Sequence, residues 1–396
     1  MRGCGQPRAG NPAAEHATVT TGIDENGANM LHDAQNYLAV IKVIGVGGGG
    51  CNAVNRMVDA GLKGVEFIAA NTDAQALLTS DADVNFDIGR ERTHGLGAGS
   101  DPEVGRDAAE EHREEIEEVL KGTDMIFVAT AESGGTGTGG APVIADIARS
   151  VGALTIGIVT RPFTFEGGRR AIQAQNGIEW LKGKLDTLIV IPNDRLLQLS
   201  DEHTSMVNAF KLCDEVLLQG VQGIADLITT PGLINTDFAD VRMIMKDAGT
   251  ALMGIGYSSG ERRAINAARA AMASPLLEAS IDGARRVLLN VSGPSDLGLF
   301  EVNEAAEIVW QSAHPDANII FGAVLDDQLG DEVRITVIAA GFDRYEDERQ
   351  RSHAGDLRSQ PPAPQGYDDA LGNSSSNALD INDDDPDVPE SLWRSP

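Results

Sequence analysis

Cysteine is nearly missing from this chain: Cys4, Cys51 and Cys213 are three in 396 residues, an odd number with neither CxxC nor metal-ligand spacing. That excludes a disulfide framework and a thiolate zinc site. The three read as reduced thiols, Cys51 as a small loop residue and Cys213 as helix core. Long hydrophobic runs are missing too, since none approaches the ~20 residues that span a bilayer. The N-terminus has no basic-then-apolar signal pattern, so the expected location is the cytoplasm. Gly-Lys-Ser/Thr occurs nowhere, which excludes a P-loop. Positive charge is scarce: 31 Lys and Arg face 60 Asp and Glu, for a net charge of −29, and no lysine follows Lys246. Such a surface repels phosphodiester backbones and argues against nucleic acid as a partner.

What the chain does have is glycine in two places. Gly45-Val-Gly-Gly-Gly-Gly50-Cys-Asn-Ala-Val54 and Ser133-Gly-Gly-Thr-Gly-Thr-Gly-Gly140 each follow an apolar strand-like run and precede a helical pattern. Without side chains in the way, successive N–H groups can point at a polyphosphate, and the helix start adds its partial positive charge. The two segments read as halves of one cradle, with the threonines of the second adding hydroxyl donors. The first segment alone also fits a dinucleotide fingerprint, which leaves a nicotinamide-dependent oxidoreductase as an alternative. Against it, the next strand, Val65–Ala70, ends in Asn71-Thr72-Asp73 rather than in an acidic residue, and a dinucleotide fold has no use for the second segment.

Together with Asn71-Thr-Asp-Ala-Gln-Ala-Leu77, Gly95-Leu-Gly-Ala-Gly99, Pro162-Phe-Thr-Phe-Glu-Gly167, Ile191-Pro-Asn-Asp194 and Asn235-Thr-Asp-Phe-Ala-Asp240, these segments occur in one order between Val40 and Phe342. In that order the chain resembles the tubulin/FtsZ family of polymerising GTPases, its FtsZ branch in particular. The resemblance implies that Gly48, Gly49, Gly50, Cys51 and Asn52 line the phosphates with Gly135, Thr136 and Gly137, and that Ala98, Gly99 and Ser100 sense the γ-phosphate. It implies Glu166 on the ribose hydroxyls, Arg170 beside the nucleotide, Phe210 over the base, Asn193 as a further ribose or base contact, and Asp214 accepting from guanine N1–H and its exocyclic amine. Adenine cannot satisfy that paired acceptance. Bound species are GTP or GDP with Mg²⁺, to which Asp73 and Gln75 contribute through water, and K⁺. Catalytic groups are Asn235, Asp237 and Asp240, although the two acids at i, i+3 also fit a helix-capping pair. Ser133 stands where the family usually has a third glycine. If that position needs a positive φ, serine costs about 1 kcal/mol, and a relative that binds GTP and regulates division or shape with slow turnover becomes the alternative.

Strand-like runs at Ala39–Ile44, Val65–Ala70, Met125–Ala129, Leu154–Val159 and Thr187–Ile191 alternate with helical patterns, which makes the fold class α/β with a parallel sheet. Apolar positions from Met206 to Ile228 step by three or four and mark one long helix, some 35 Å from end to end. Strands at Leu252–Tyr257, Arg286–Val291, Ile319–Val324 and Val333–Ala339, with helices near Arg262–Met272 and Asn303–Ser312, make a second, α+β domain. The expected divisions are a disordered arm over 1–38, a GTP-binding domain over 39–204, the central helix and catalytic loop over 205–240, the α+β domain over 241–342, a flexible linker over 343–380 and a docking tail over 381–396. Leu392 and Trp393 after an acidic run fit a peptide that binds membrane-tethering division proteins, the chain having no span of its own. The long helix keeps Asp237 and Asp240 from their own nucleotide, so the resemblance implies a head-to-tail homopolymer in which they act on the neighbour's GTP, at a mid-cell division ring. Acidic faces within the folded part, such as 110–118, suggest salt adaptation and a halophilic archaeal source.

Overall fold

The computed structural model describes residues 39–199, 204–230, 232–234, 236–277, 281 and 283–342. The expected arm, linker and tail, Cys4 and Asn235 lie outside them. The elements are β1 (Ile41–Val46), α1 (Gly47–Asp59), β2 (Glu66–Asn71), α2 (Ala74–Leu78), β3 (Val84–Asp87), α3 (Pro102–Glu111), α4 (Arg113–Leu120), β4 (Met125–Ala131), α5 (Gly135–Ser150), β5 (Leu154–Arg161), α6 (Gly168–Lys182), β6 (Thr187–Pro192), α7 (Asn193–Leu196), α8 (Met206–Thr229), α9 (Phe238–Met245), β7 (Gly249–Ser258), α10 (Arg263–Met272), β8 (Arg286–Gly293), α11 (Leu299–Ser312), β9 (Asn318–Leu325) and β10 (Val333–Ala340).

The ten strands form one sheet in the order β3-β2-β1-β4-β5-β6-β7-β10-β8-β9. β1 to β6 are parallel, and β7 joins β6 in parallel over Thr187–Ile189. β10 runs antiparallel to both β7 and β8. Parallel strands covered on both faces need unbroken apolar runs, and β1, β4 and β6 are buried almost along their whole length. One core lies between the sheet and α1 and α8, a second under α5 on the opposite face, and a third between α10, α11 and the antiparallel strands. The order reverses between β1 and β4, so a crevice opens at their carboxyl ends, where both glycine segments emerge. No helix among the described residues is long and apolar enough to cross a membrane.

Three readings change. β3 is a strand of four residues at the sheet edge, paired with β2 from Ile68 and Val84, and too short to leave an alternation in the sequence. α11 starts four residues before Asn303: Leu299 and Phe300 are exposed, which breaks the apolar pattern, and the Glu301 carboxylate accepts from Gly298 N at 3.0 Å to fix the start. Cys51 is not in a loop. It lies in the first turn and a half of α1, with Sγ buried 3.9 Å from both Gly45 O and Ala70 O, because helix begins at Gly47 without an intervening turn.

Candidate nucleotide site

Gly47 takes φ +72° at the end of β1, and a Cβ there would sit 2.9 Å from Gly137 N; the two glycine segments meet at this point. A Cβ on Gly49 would come 2.6 Å from Ala131 Cβ, which brings the start of α1 against the end of β4. Neither α1 nor α5 has a side-chain cap, and neither has an acidic residue in its first turn. Each helix therefore leaves its first N–H groups and the positive end of its dipole unanswered, side by side. Together they can take one anion between them.

A third loop closes on them. His94, Gly95, Gly97, Gly99 and Ser100 all have positive φ, so the chain over 94–100 coils tightly before Asp101 caps α3 by accepting from Glu103 N at 2.9 Å. Ala98 is buried, and a Cβ on Gly135 would meet Ala98 Cβ at 2.8 Å and Asp101 N at 2.7 Å. Gln173 of α6 ties the two loops, its Nε2 donating to Ser100 O at 3.2 Å and Gly134 O at 3.1 Å.

Beside the loops lies a cavity of ≈ 260 Å³, lined by Gly49, Asn52, Ala131, Ser133, Glu166, Arg170, Asn193, Phe210, Cys213 and Asp214 among others. Glu166 accepts from Phe163 N at 2.9 Å and pairs with Arg170 at 2.6 Å; the carboxylate is a wall of the cavity, its side chain only 8 % exposed, while Arg170 also faces solvent. Phe210 stands edge-on to Phe163, ring centroids 5.6 Å apart, and presents an exposed edge. Asn193 Oδ1 is buried without a hydrogen-bond partner among the described residues, an acceptor that a ligand in this cavity would satisfy. Burial pushes the Asp214 carboxyl up to about 6, with Arg56 pulling the other way.

The structure thus gathers all the expected binding residues into or around one crevice, with differences in how they present themselves. The Cys51 thiol faces away into the core, and burial pushes it up to about 12, so only its main chain is available. Thr136 shares a 2.6 Å hydrogen bond with Thr72 in which either hydroxyl could donate, and Thr138 is buried under α6. Ser133 is not among the positive-φ residues, and the backbone strain foreseen for it does not exist. Asp73 caps α2 through Gln75 N at 2.9 Å, and no cluster of three or more His, Cys, Asp or Glu among the described residues could cage a metal ion. The other two acids stand apart: Asp237 and Asp240 open α9, beyond the loop that follows α8, where Ile234 pairs with Ala323 of β9. The cavity lies against the N-terminal part of α8, Phe210 to Leu217, and the rest of that helix to Thr229 puts about 18 Å between the cavity and that loop at 1.5 Å per residue. Asp237 does cap α9, accepting from Asp240 N at 2.9 Å. Gln173 was not foreseen, although it lies one helical turn beyond Arg170 on the same face; Cys213 was foreseen only as core, although it adjoins Asp214.

Residues 40–201 match the model of the tubulin/FtsZ family GTPase domain, and 249–343 that of the FtsZ family C-terminal domain. An empty FtsZ dimer from M. jannaschii is 43 % identical, covers 81 % of this chain and 93 % of its own, and superposes with a TM-score of 0.76. CetZ2 of Haloferax volcanii, solved as a GTPγS-bound protofilament, is 20 % identical over 81 % of this chain and 100 % of its own, with a TM-score of 0.67, a likeness of fold. With two uncapped helix starts side by side, three converging loops and these matches, the chain belongs to the tubulin/FtsZ family and is a GTPase of its FtsZ branch.

Proposed function

We propose that this GTPase builds a cytoplasmic filament at a mid-cell division ring, and that each GTP is hydrolysed with acids of the neighbouring copy. In this reading the phosphates lie on Gly48–Asn52 and Gly135–Gly137 with Ala98–Ser100 over the γ-phosphate, the ribose meets Glu166, Arg170 and Asn193, and guanine lies against Phe210 and Asp214. The observation that carries it is the run of α8 beyond the cavity: from Leu217 to Thr229 it puts about 18 Å of helix between the nucleotide site and the loop of Asp237 and Asp240, farther than a side chain spans. Stacked head to tail, the next copy brings them to it, and a heterologous contact that does not close makes a filament. Exposed apolar side chains at both ends favour such a contact: Phe165, Ile172, Met206 and Val207 round the cavity, Leu233, Ile234 and Met243 round the far loop. The dimeric and protofilament forms of the similar proteins support self-association of this one.

Chemically, a water oxygen bonds to the γ-phosphorus, the bond to the β–γ bridging oxygen breaks, and the water's proton leaves to a carboxylate; Asp237 and Asp240, with Asn235, orient that water and take the proton. The helix starts supply N–H groups to the charge that develops on the phosphate oxygens. Mg²⁺ would be held here chiefly by phosphate oxygens and water, with Asp73 and Gln75 reaching it through water, since no cluster of acids, His or Cys among the described residues could cage it. The last residues, 381–396, carry the docking peptide for membrane-tethering partners; their deletion is expected to spare polymerisation and abolish recruitment to tethered vesicles.

The test is complementation. Asp240→Ala keeps its pocket and loses the acid. Gly48→Trp fills the open side of the cradle, where a Cβ meets nothing within 4 Å, and loses the pocket while keeping the acid. Each alone is expected to turn over at ~10²-fold below wild type or less, with partial recovery on mixing. A co-assembled mixture that stays inactive at every ratio rules out hydrolysis between copies.

A further inference from the structure

Glu132 lies in the turn between β4 and the second glycine segment, and it is completely buried. Neither of its carboxyl oxygens has a hydrogen-bond partner among the described residues, nor has the Thr138 hydroxyl beside it. The main chain is fixed, Glu132 N donating to Thr160 O at 2.9 Å. The side chain runs between α5 and α6, so tightly that a Cβ on Gly177 would come 2.2 Å from Oε2 and 2.4 Å from Thr138 Cγ2. One turn earlier on that face of α6, Gln173 holds Gly134 O and Ser100 O. α6 is therefore seated on the phosphate loops at two neighbouring points: Gln173 clamps two loop carbonyls, and Gly177 leaves room for the Glu132 carboxyl.

We propose that Glu132 is a positioning residue of the second phosphate loop that acts as a neutral acid, so that GTP binding takes up a proton at its carboxyl. The inference rests on the reading that the phosphates lie on Gly135–Gly137, three to five residues along the chain. An ionised carboxylate without a partner is the costliest group to bury, so the seat under α6 is built for the protonated form. Burial pushes this carboxyl up to about 8, opposed only in part by the neighbouring Thr138 hydroxyl, which lies close to it but short of hydrogen-bond geometry. Charged groups on the packed elements are Arg161 on β5, Glu166 in the turn before α6, Arg169, Arg170, Glu179 and Lys182 on α6, and Asp146 and Arg149 on α5. Arg170 is taken by Glu166, Asp146 by Arg113 and Lys184, and Arg149 by Asp247, while Arg161 lines a separate cleft with Pro162, Ala171 and Asp194. Burial, not an opposing cation, sets the proton affinity. A polyphosphate adds several like charges in the same low-dielectric region and raises it further. By reciprocity, the proton that GTP draws from solvent is the one whose loss at high pH weakens GTP binding.

Calorimetric titration of GTP into the full chain, in two buffers of different ionisation enthalpy between about pH 7 and 9.5, counts the protons taken up. The wild type is expected to take up a fraction of a proton above pH ~8, with affinity falling by up to about tenfold per pH unit there, whereas Glu132→Gln shows no uptake and a flat profile. Glu132→Met, apolar and of similar volume, should match the Gln variant; a purely structural role would separate the two. Wild-type binding without proton uptake overturns the inference even if neither variant folds, and so does equal uptake in wild type and Gln. Binding to Gly48→Trp as tight as to wild type would instead refute the placement of the phosphates, and the inference with it.

Discussion

Asp214 and Glu132 are two carboxyls that burial pushes the same way with opposite consequences. In the proposed pocket Asp214 must be ionised to accept two donors from guanine, and burial pushes its carboxyl up to about 6. GTP affinity is therefore expected to fall as pH drops through about 6, by up to about tenfold per unit, while Asp214→Ala removes this acid limb and the preference for GTP over ATP. Competition titrations with both nucleotides between about pH 5 and 7 check it; undiminished selectivity in the variant refutes the assignment. For Glu132 the linkage concerns stability. A folded value near 8 against the ordinary 4.5 means that the native state holds the proton longer than the unfolded chain. The associated stability is full below pH 4.5 and is lost as pH rises to about 8. Glu132→Met is expected to gain on wild type across that window and hold a constant lead above it in urea unfolding. The glycine runs were legible because no bulkier residue allows the close approach of Gly47 to Gly137, whereas the role given to Asp214 rests on the family resemblance. Glu132 was not: a sequence shows a carboxyl beside a serine but not the absence of a partner, which depends on how α5 and α6 pack over it.

At the scale of elements, the proposed mechanism asks α9 to carry two functions in one turn. Asp237 caps it through Asp240 N, a bond that needs the Asp237 carboxylate but only the main chain of Asp240. Asp237→Ala is expected to lose about 1 kcal/mol of stability together with turnover, Asp240→Ala turnover alone, and Asp237→Ser should restore the cap without the activity. Thermal unfolding beside single-turnover hydrolysis separates these outcomes, and full turnover in Asp237→Ser would reduce the residue to a cap. The long elements were plain from sequence: α8 keeps its three-and-four spacing over 24 residues, and the buried strands are continuous apolar runs. Short or exposed ones were not. β3 owes its existence to the edge that β2 offers it, and the first turn of α11 owes its existence to a Glu301 bond that overrides two exposed apolar side chains.

For the whole molecule, a charge of −29 opposes contact between copies, while apolar side chains stand exposed at the two ends that a head-to-tail contact would join. Salt decides between them, because a Debye length of about 3 Å at 1 M screens the repulsion and leaves the burial of apolar surface untouched. Assembly with GTP is therefore expected to strengthen from about 0.1 M to 2 M KCl, the reverse of a filament held by ion pairs. The same geometry gives a sharper outcome. Ile172→Glu places a charge at the cavity end and Met243→Glu at the far end, and neither side chain lines the cavity. Each variant alone should bind GTP normally yet neither sediment nor turn over. Mixed, the intact far end of the first fits the intact cavity end of the second, and the pair can grow no further. Turnover should then return in part while light scattering stays flat, since one completed interface suffices for hydrolysis but not for a filament. Recovery of scattering along with turnover would mean that these two surfaces do not meet, and failure of both would mean that at least one of them lies outside the contact that activates hydrolysis.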